Sequence, residues 1–159
     1  MTARTDRSLL QALFAFLALP GMVAFVVPWL LRPADARMNP AGFAILFVGI
    51  VLLLWCVRDF YVAGRGSLAP WAPPKRLVIV GLYRWSRNPM YIAVLLVLCG
   101  WATLFASRAL WIYAACIGLA FHLRVVFGEE PWLSQTHGAE WSAYRERVPR
   151  WLGVASLRR

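Results

Sequence analysis

Four apolar runs divide the chain, and the polar stretches between them carry almost all of its charge. Leu9 to Leu31 is the first run, interrupted only by Gln11, Pro20, Gly21 and Pro28. It exceeds the ~20 residues a membrane-spanning helix needs, and Pro20-Gly21 predicts a kink within it. Arg4 and Arg7 before the run and Ala34-Asp35-Ala36 after it imitate a cleavable leader. The run is longer than the roughly 7–15 apolar residues of such leaders, so an uncleaved helix is expected. Ala41 to Val57 has no charge and predicts a second helix, closed by Arg58-Asp59. Pro89 to Ala106 predicts a third. Ser107-Arg108 is a minimal turn, so the fourth run, from Ala109 to Phe121 and on through Val126 or Phe127, folds back as an antiparallel hairpin. After Gly128 come Glu129-Glu130, Pro131 and Gly138, then a segment with Trp141, Tyr144 and Val148 on one helical face. Pro149 stops that segment. Its aromatic and arginine content suits a helix lying at headgroup level.

Composition turns this pattern into a class. The chain has 159 residues and is 61% hydrophobic, with mean hydropathy +0.61, which is high for a soluble domain. The expected fold is all-α: a single membrane domain over 1–159, with about four transmembrane helices and a C-terminal interfacial amphipathic helix. Residues 1–57 supply two N-terminal helices and 58–152 form the core. The net charge is +10, and every basic residue except Lys75 is Arg. That bias points to a GC-rich bacterial genome, and so to a bacterial inner membrane. The basic residues fall unevenly. Two precede the first run, six lie within 58–88, and six follow His122. The opposite side holds Arg32, Arg37 and Arg108. The positive-inside rule therefore puts both termini and the long connection on the cytoplasmic face. Anionic lipid, and not nucleic acid, is the expected counter-charge.

The connection from Arg58 to Arg87 is too long for an idle loop. It contains Gly64-Arg65-Gly66, Pro70, Pro73-Pro74 and Lys75-Arg76. It leads into Gly81-Leu-Tyr-Arg-Trp-Ser-Arg-Asn-Pro-Met-Tyr91. Asn88-Pro89 reads as a helix start, with Asn capping free N–H groups and Pro at the first helical position. Tyr83, Arg87, Asn88 and Tyr91 then gather at a helix N-terminus, which favours an anion. Glu129-Glu130 would oppose the dipole of the helix before them and need a cationic partner or solvent. They read either as a solvated pair in an interfacial loop balancing nearby arginines or as a receptor for a cationic or hydroxyl-rich ligand. Arg124, Arg84 and Arg87 also fit snorkelling arginines. Tyr83, Tyr91 and Trp71, Trp85, Trp132, Trp141 and Trp151 also fit an interfacial belt.

Other chemistries find little support. Cys56, Cys99 and Cys116 sit inside apolar runs and read as core residues. His122 and His137 lack ligand spacing, so no metal is expected. Gly64-Arg65-Gly66 is too short for a dinucleotide fingerprint. There is no nucleophile elbow, and no small-residue dimer signature stands out.

Gly81-x-Tyr83-x-x-x-Arg87-Asn88-Pro89-Met90-Tyr91, a helical hairpin, Glu129-Glu130, Gly138, Tyr144 and Val148-Pro149 occur in that order. Over roughly residues 64–152 this resembles the isoprenylcysteine carboxyl methyltransferase and phospholipid methyltransferase superfamily. The resemblance implies an integral membrane enzyme using S-adenosylmethionine in a cytoplasmic pocket built without a Rossmann sheet. By motif, it implies cofactor contacts at Tyr83, Arg87, Asn88, Pro89, Met90, Tyr91 and Glu129. It also implies contacts at the backbone near Leu77 and Val78. Two departures accompany it. Asn88 stands where the isoprenylcysteine enzymes have His, and Asn does not titrate near neutrality. Val125 stands where they have a substrate-contacting Arg, with Arg124 beside it. Arg124 and Glu130 are the candidate catalytic residues. The expected reaction is a direct in-line methyl transfer to a lipophilic or small acceptor: carboxylate, amine, thiol or hydroxyl. Two other readings stay open, an NADPH-dependent membrane reductase of related architecture and a non-enzymatic membrane scaffold.

Overall fold

A computed structural model describes residues 17–36, 38–64 and 77–153. The Arg4 and Arg7 leader frame, Trp71 and the Pro70 to Arg76 part of the connection lie outside the described residues. Among the described residues the fold is entirely helical, with no strand. Helix α1 is wound as a π-helix over Leu17–Val26 and tightens to one α-helical stretch over Val27–Leu30. Where the sequence predicts a kink at Pro20-Gly21, the chain is wound as π-helix, whose i→i+5 pattern departs from the ordinary ladder. Helix α2 is Pro40–Gly64. A 3₁₀ turn, Gly81–Arg84, precedes α3, Pro89–Leu104. Helix α4 is Arg108–Arg124. It passes through a π turn, Val125–Glu129, into α5, Glu130–Arg147.

The core lies where α2 and α3 run antiparallel. A Cβ added at Gly42 would collide with the backbone of Leu104, and one at Gly49 would lie 2.8 Å from Val97 N. One at Gly100 would lie 2.7 Å from Leu46 N. The two backbones touch through these glycines, a device that helix packing in apolar surroundings favours. Leu46, Leu53, Val94, Val97, Leu98, Leu110 and Ala114 are buried around that seam. Helix α1 is tied on by two side-chain donors: Trp101 Nε1 to Ala24 O at 2.9 Å and Tyr113 OH to Val23 O at 3.0 Å. Ser107 caps α4 by accepting from Leu110 N at 3.4 Å. The α3–α4 connection is the tight hairpin that Ser107-Arg108 predicted.

Two helical stretches, Pro40–Phe60 and Arg108–Arg147, are long and apolar enough to cross a membrane. Gly21–Leu30 and Pro89–Leu104 are shorter apolar helices. Phe47, Leu54, Ile112 and Leu119 point outward, which suits lipid contact better than water.

Several boundaries differ from the sequence reading. Helix α2 does not close at Arg58-Asp59 but continues to Gly64, and Asp59 is buried beside the Gly81 turn. Glu129-Glu130 do not end a helix. They lie within an uninterrupted helical path, so no terminal dipole opposes them. Trp141 is not an interfacial belt residue. It is 2% exposed and forms a buried cluster with Tyr144 and Val148. Gly138, with φ 47°, bends α5 and separates its polar first part from the face carrying that cluster.

Candidate functional site

The N-terminus of α3, the C-terminal end of α4 and the π turn meet at one end of the bundle. Pro89 occupies the first turn of α3, where a missing N–H costs nothing. Tyr91, two residues on, stacks on Phe121 of α4, with ring centroids 4.4 Å apart. Its hydroxyl donates to Glu129 Oε1. Arg124 Nε reaches the same Oε1 at 2.8 Å and the Tyr91 hydroxyl at 3.2 Å. Tyr91, Arg124 and Glu129 therefore form one hydrogen-bonded triad. Among the described residues its bonds fall on Glu129 Oε1, which leaves Oε2 able to accept from something else. The Glu129 side chain is 32% exposed, so this carboxylate is open to solvent.

Glu130 faces another way. Arg150 holds it bidentately, Nε to Oε1 and Nη2 to Oε2, both at 2.8 Å. Arg87 Nη1 lies 2.9 Å from Glu130 Oε1 as an ion contact, but neither Nη1 nor Nε of Arg87 makes an aligned hydrogen bond. Glu130 and Arg87 are 11% and 9% exposed at the side chain. Burial alone would raise the Glu130 carboxyl, but the Arg150 hydrogen bonds and the Arg87 and Arg150 charges outweigh it and hold the group below its usual range. Burial pulls the Arg87 guanidinium down, and the Glu130 charge partly offsets this. Arg87 also sits over the Trp141 ring at 5.4 Å, and Trp141 Nε1 is buried without a partner. The acids do balance nearby arginines, as one reading of them expects, but only Glu129 is open to solvent, while Glu130 is largely buried. Each has its own cationic partner.

Asn88 does not cap α3 with its side chain. Its Nδ2 donates instead to Arg150 O at 3.0 Å, and its N–H goes to Ser86 Oγ at 3.1 Å. Arg87 N donates to Pro149 O at 2.9 Å. The segment after α5 therefore lies along the Ser86–Asn88 loop, and its Arg150 carbonyl competes successfully for the amide that would otherwise cap the helix. His122 accepts from Trp151 Nε1 at 3.2 Å, tying the same tail to α4.

The remaining residues singled out by sequence form the floor. Tyr83 and Val78 are buried with Cys56, and Met90 packs between that cluster and the helical core. Tyr83 O accepts from Tyr144 OH at 2.6 Å. Burial pushes the Tyr83 hydroxyl well above the ordinary tyrosine range, so it stays neutral. Leu77 packs against Trp141, Tyr144 and Val148. Two groups at this end went unnoticed in the sequence. Arg150 is the partner that the acids required, but 20 residues separate it from Glu130. Asp59 was read only as a helix boundary. Among the described residues no group of three or more His, Cys, Asp or Glu is placed to hold a metal ion.

Comparison with known proteins gives one family. The model of the family described as phospholipid methyltransferase matches residues 38–140, more than half of the chain. No curated protein and no solved structure matches.

Proposed function

The chain belongs to the phospholipid methyltransferase family, and from that premise we propose that it is an integral membrane enzyme transferring the methyl group of S-adenosylmethionine to a lipophilic or small acceptor. In this reading α1 to α4 cross the membrane, and α5 lies at the interface. The termini and the site face the cytoplasm, in keeping with the distribution of Lys and Arg.

The observation that carries the reading is the convergence of Tyr91, Arg124 and Glu129 at the end of the bundle where charge accumulates. The donor molecule has an ammonium group and ribose hydroxyls, which suit the open Oε2 of Glu129. It also has a carboxylate, which suits a buried guanidinium with unused N–H groups, as Arg87 has. The Glu129 end of the site thus fits such a group, and Arg87, in ion contact with Glu130, is the candidate for its carboxylate. When bound, it would supply an electrophilic methyl on a sulfonium, a cation that aromatic faces such as Tyr91 attract. Arg124 fixes the Glu129 carboxylate, and Tyr91 is held in place by Phe121 and by its bond to Glu129. Positioning and exclusion of water, without a covalent protein nucleophile, are what this set of residues offers the reaction.

The test is calorimetric titration of the detergent-solubilised protein with S-adenosylmethionine, S-adenosylhomocysteine and NADPH. The methyl donor and its product should bind and NADPH should not. Glu129→Gln should weaken donor binding by about tenfold, as loss of one charge-assisted hydrogen bond implies. Wild-type affinity in that variant would remove Glu129 from the site. Radiolabelled methyl transfer into lipid, protein and volatile fractions then identifies the acceptor.

A further inference from the structure

Asp59 lies at the end of the apolar stretch Pro40–Phe60 and is 7% exposed. Its Oδ2 is buried and has no hydrogen-bond partner among the described residues. Its ion contact among the described residues, Arg58 Nη1 at 3.5 Å, is with a side chain 75% exposed. A carboxylate in such a place is costly, and an apolar residue would pack there more cheaply. The oxygen is nevertheless closely matched to its surroundings. Gly81 has φ +55°, and a Cβ built on it would collide with Asp59 Oδ2 and lie 2.9 Å from Cγ. The bare Cα of Gly81 and the Asp59 carboxylate thus share one space, with Trp55 Nε1 on its border at 3.3 Å from that Cβ position.

Gly81 opens the 3₁₀ turn that carries Tyr83, and this turn leads directly to Ser86, Arg87 and Asn88. The first N–H groups of such a turn lack partners within it, and negative charge is favoured near them. Tyr83 packs with Cys56, one turn before Asp59 on α2, and its ring lies 6.4 Å from that of Phe60. The carboxylate therefore stands where α2 meets the loop from which the proposed site is built.

We propose that Asp59 is a positioning residue of the methyl-donor site. It acts through Gly81 to fix the turn Gly81–Arg84 and the loop through Asn88. This rests on the donor reading given above, so its test needs a readout that does not depend on the donor. That readout is amide hydrogen exchange over residues 77–88, measured on the full chain in detergent for wild type, Asp59→Ala, Asp59→Asn and Gly81→Ala. Exchange in 81–88 should rise in Asp59→Ala and in Gly81→Ala, while α3 and α4 stay protected. Asp59→Asn keeps the shape if the alanine variant fails to fold. It should melt at or above the wild-type temperature, because a buried charge has been removed. It should still bind S-adenosylmethionine several-fold more weakly, because the negative charge favoured beside the first N–H groups of the turn is lost and the loop is held less firmly. A merely structural role predicts that melting and affinity fall together, and that result overturns the proposal. Unchanged exchange over 81–88 in both Asp59 variants overturns it as well. If the wild type takes up no S-adenosylmethionine, the donor reading falls, and the exchange data alone decide whether Asp59 positions the turn.

Discussion

Replacing Glu130 by alanine should be the most damaging single change at the polar end of the bundle. Its carboxylate is 11% exposed and serves two guanidinium groups, Arg87 at 9% exposure and Arg150 at 36%. Without it, Arg87 remains a buried cation that already lacks aligned partners on two nitrogens. Stranding a buried charge costs about 3–5 kcal/mol. Arg150→Ala is the milder lesion, because Glu130 keeps Arg87 and because the exposed side of Arg150 is screened by solvent. Its cost should be about 1 kcal/mol. Adding Arg87→Met to Glu130→Ala removes the stranded cation and should return part of the loss. Unfolding in detergent can be followed by intrinsic fluorescence, since the chain has nine tryptophans and Trp141 contacts Arg87 directly. The ranking Glu130→Ala, then the double variant, then Arg150→Ala, from least to most stable, is the expected outcome. Equal losses for Glu130→Ala and Arg150→Ala would refute the claim that Arg87 depends on this carboxylate.

Two further outcomes follow from the same geometry. The Glu130 carboxyl is held below its ordinary value of 4.5, so its contribution to stability is complete above that value and is lost as pH falls through the lower folded-state pKa. Melting temperature in the wild type should therefore decline on acidification below about pH 4.5, and that decline should be shallower in Glu130→Gln. In the core, Gly100→Ala should destabilise by about 1–3 kcal/mol because its Cβ meets the Leu46 backbone. Gly118→Ala meets only Leu95 side-chain carbons, at 3.5 Å and beyond, and should be neutral or stabilising in the same melting assay.

The helices were legible in the sequence because their signals are local. Pro89 at a helix start, Ser107 at the hairpin and the shared face of Trp141, Tyr144 and Val148 each need only a few neighbouring residues to be read. What escaped depends on partners distant in sequence. Arg58-Asp59 reads as a polar stop until Gly81 is seen to leave room for the carboxylate. Asn88 reads as a cap until the Arg150 carbonyl is seen to take its amide. Gly42, Gly49 and Gly100 look like ordinary residues of apolar runs until two backbones are brought together. The need of the acids for a cation was visible, but which arginine answers it was not, because the return of the tail past Pro149 is a tertiary event. Trp141 was assigned by residue type to the interface. Its burial follows from the bend at Gly138, which aims the last turns of α5 at Leu77 and Ile79.

The π turn between α4 and α5 has a consequence of its own. Neighbouring positions on a helix point about 100° apart, so Glu129 and Glu130 look into separate neighbourhoods, one toward Tyr91 and one toward Arg150. Adjacent in sequence, the two glutamates are held by different partners, Glu129 by Tyr91 and Arg124 and Glu130 by Arg87 and Arg150. A one-residue deletion in Val125–Phe127 would turn both at once by about 100°, bringing Glu130 toward Tyr91 and leaving Arg150 without its carboxylate.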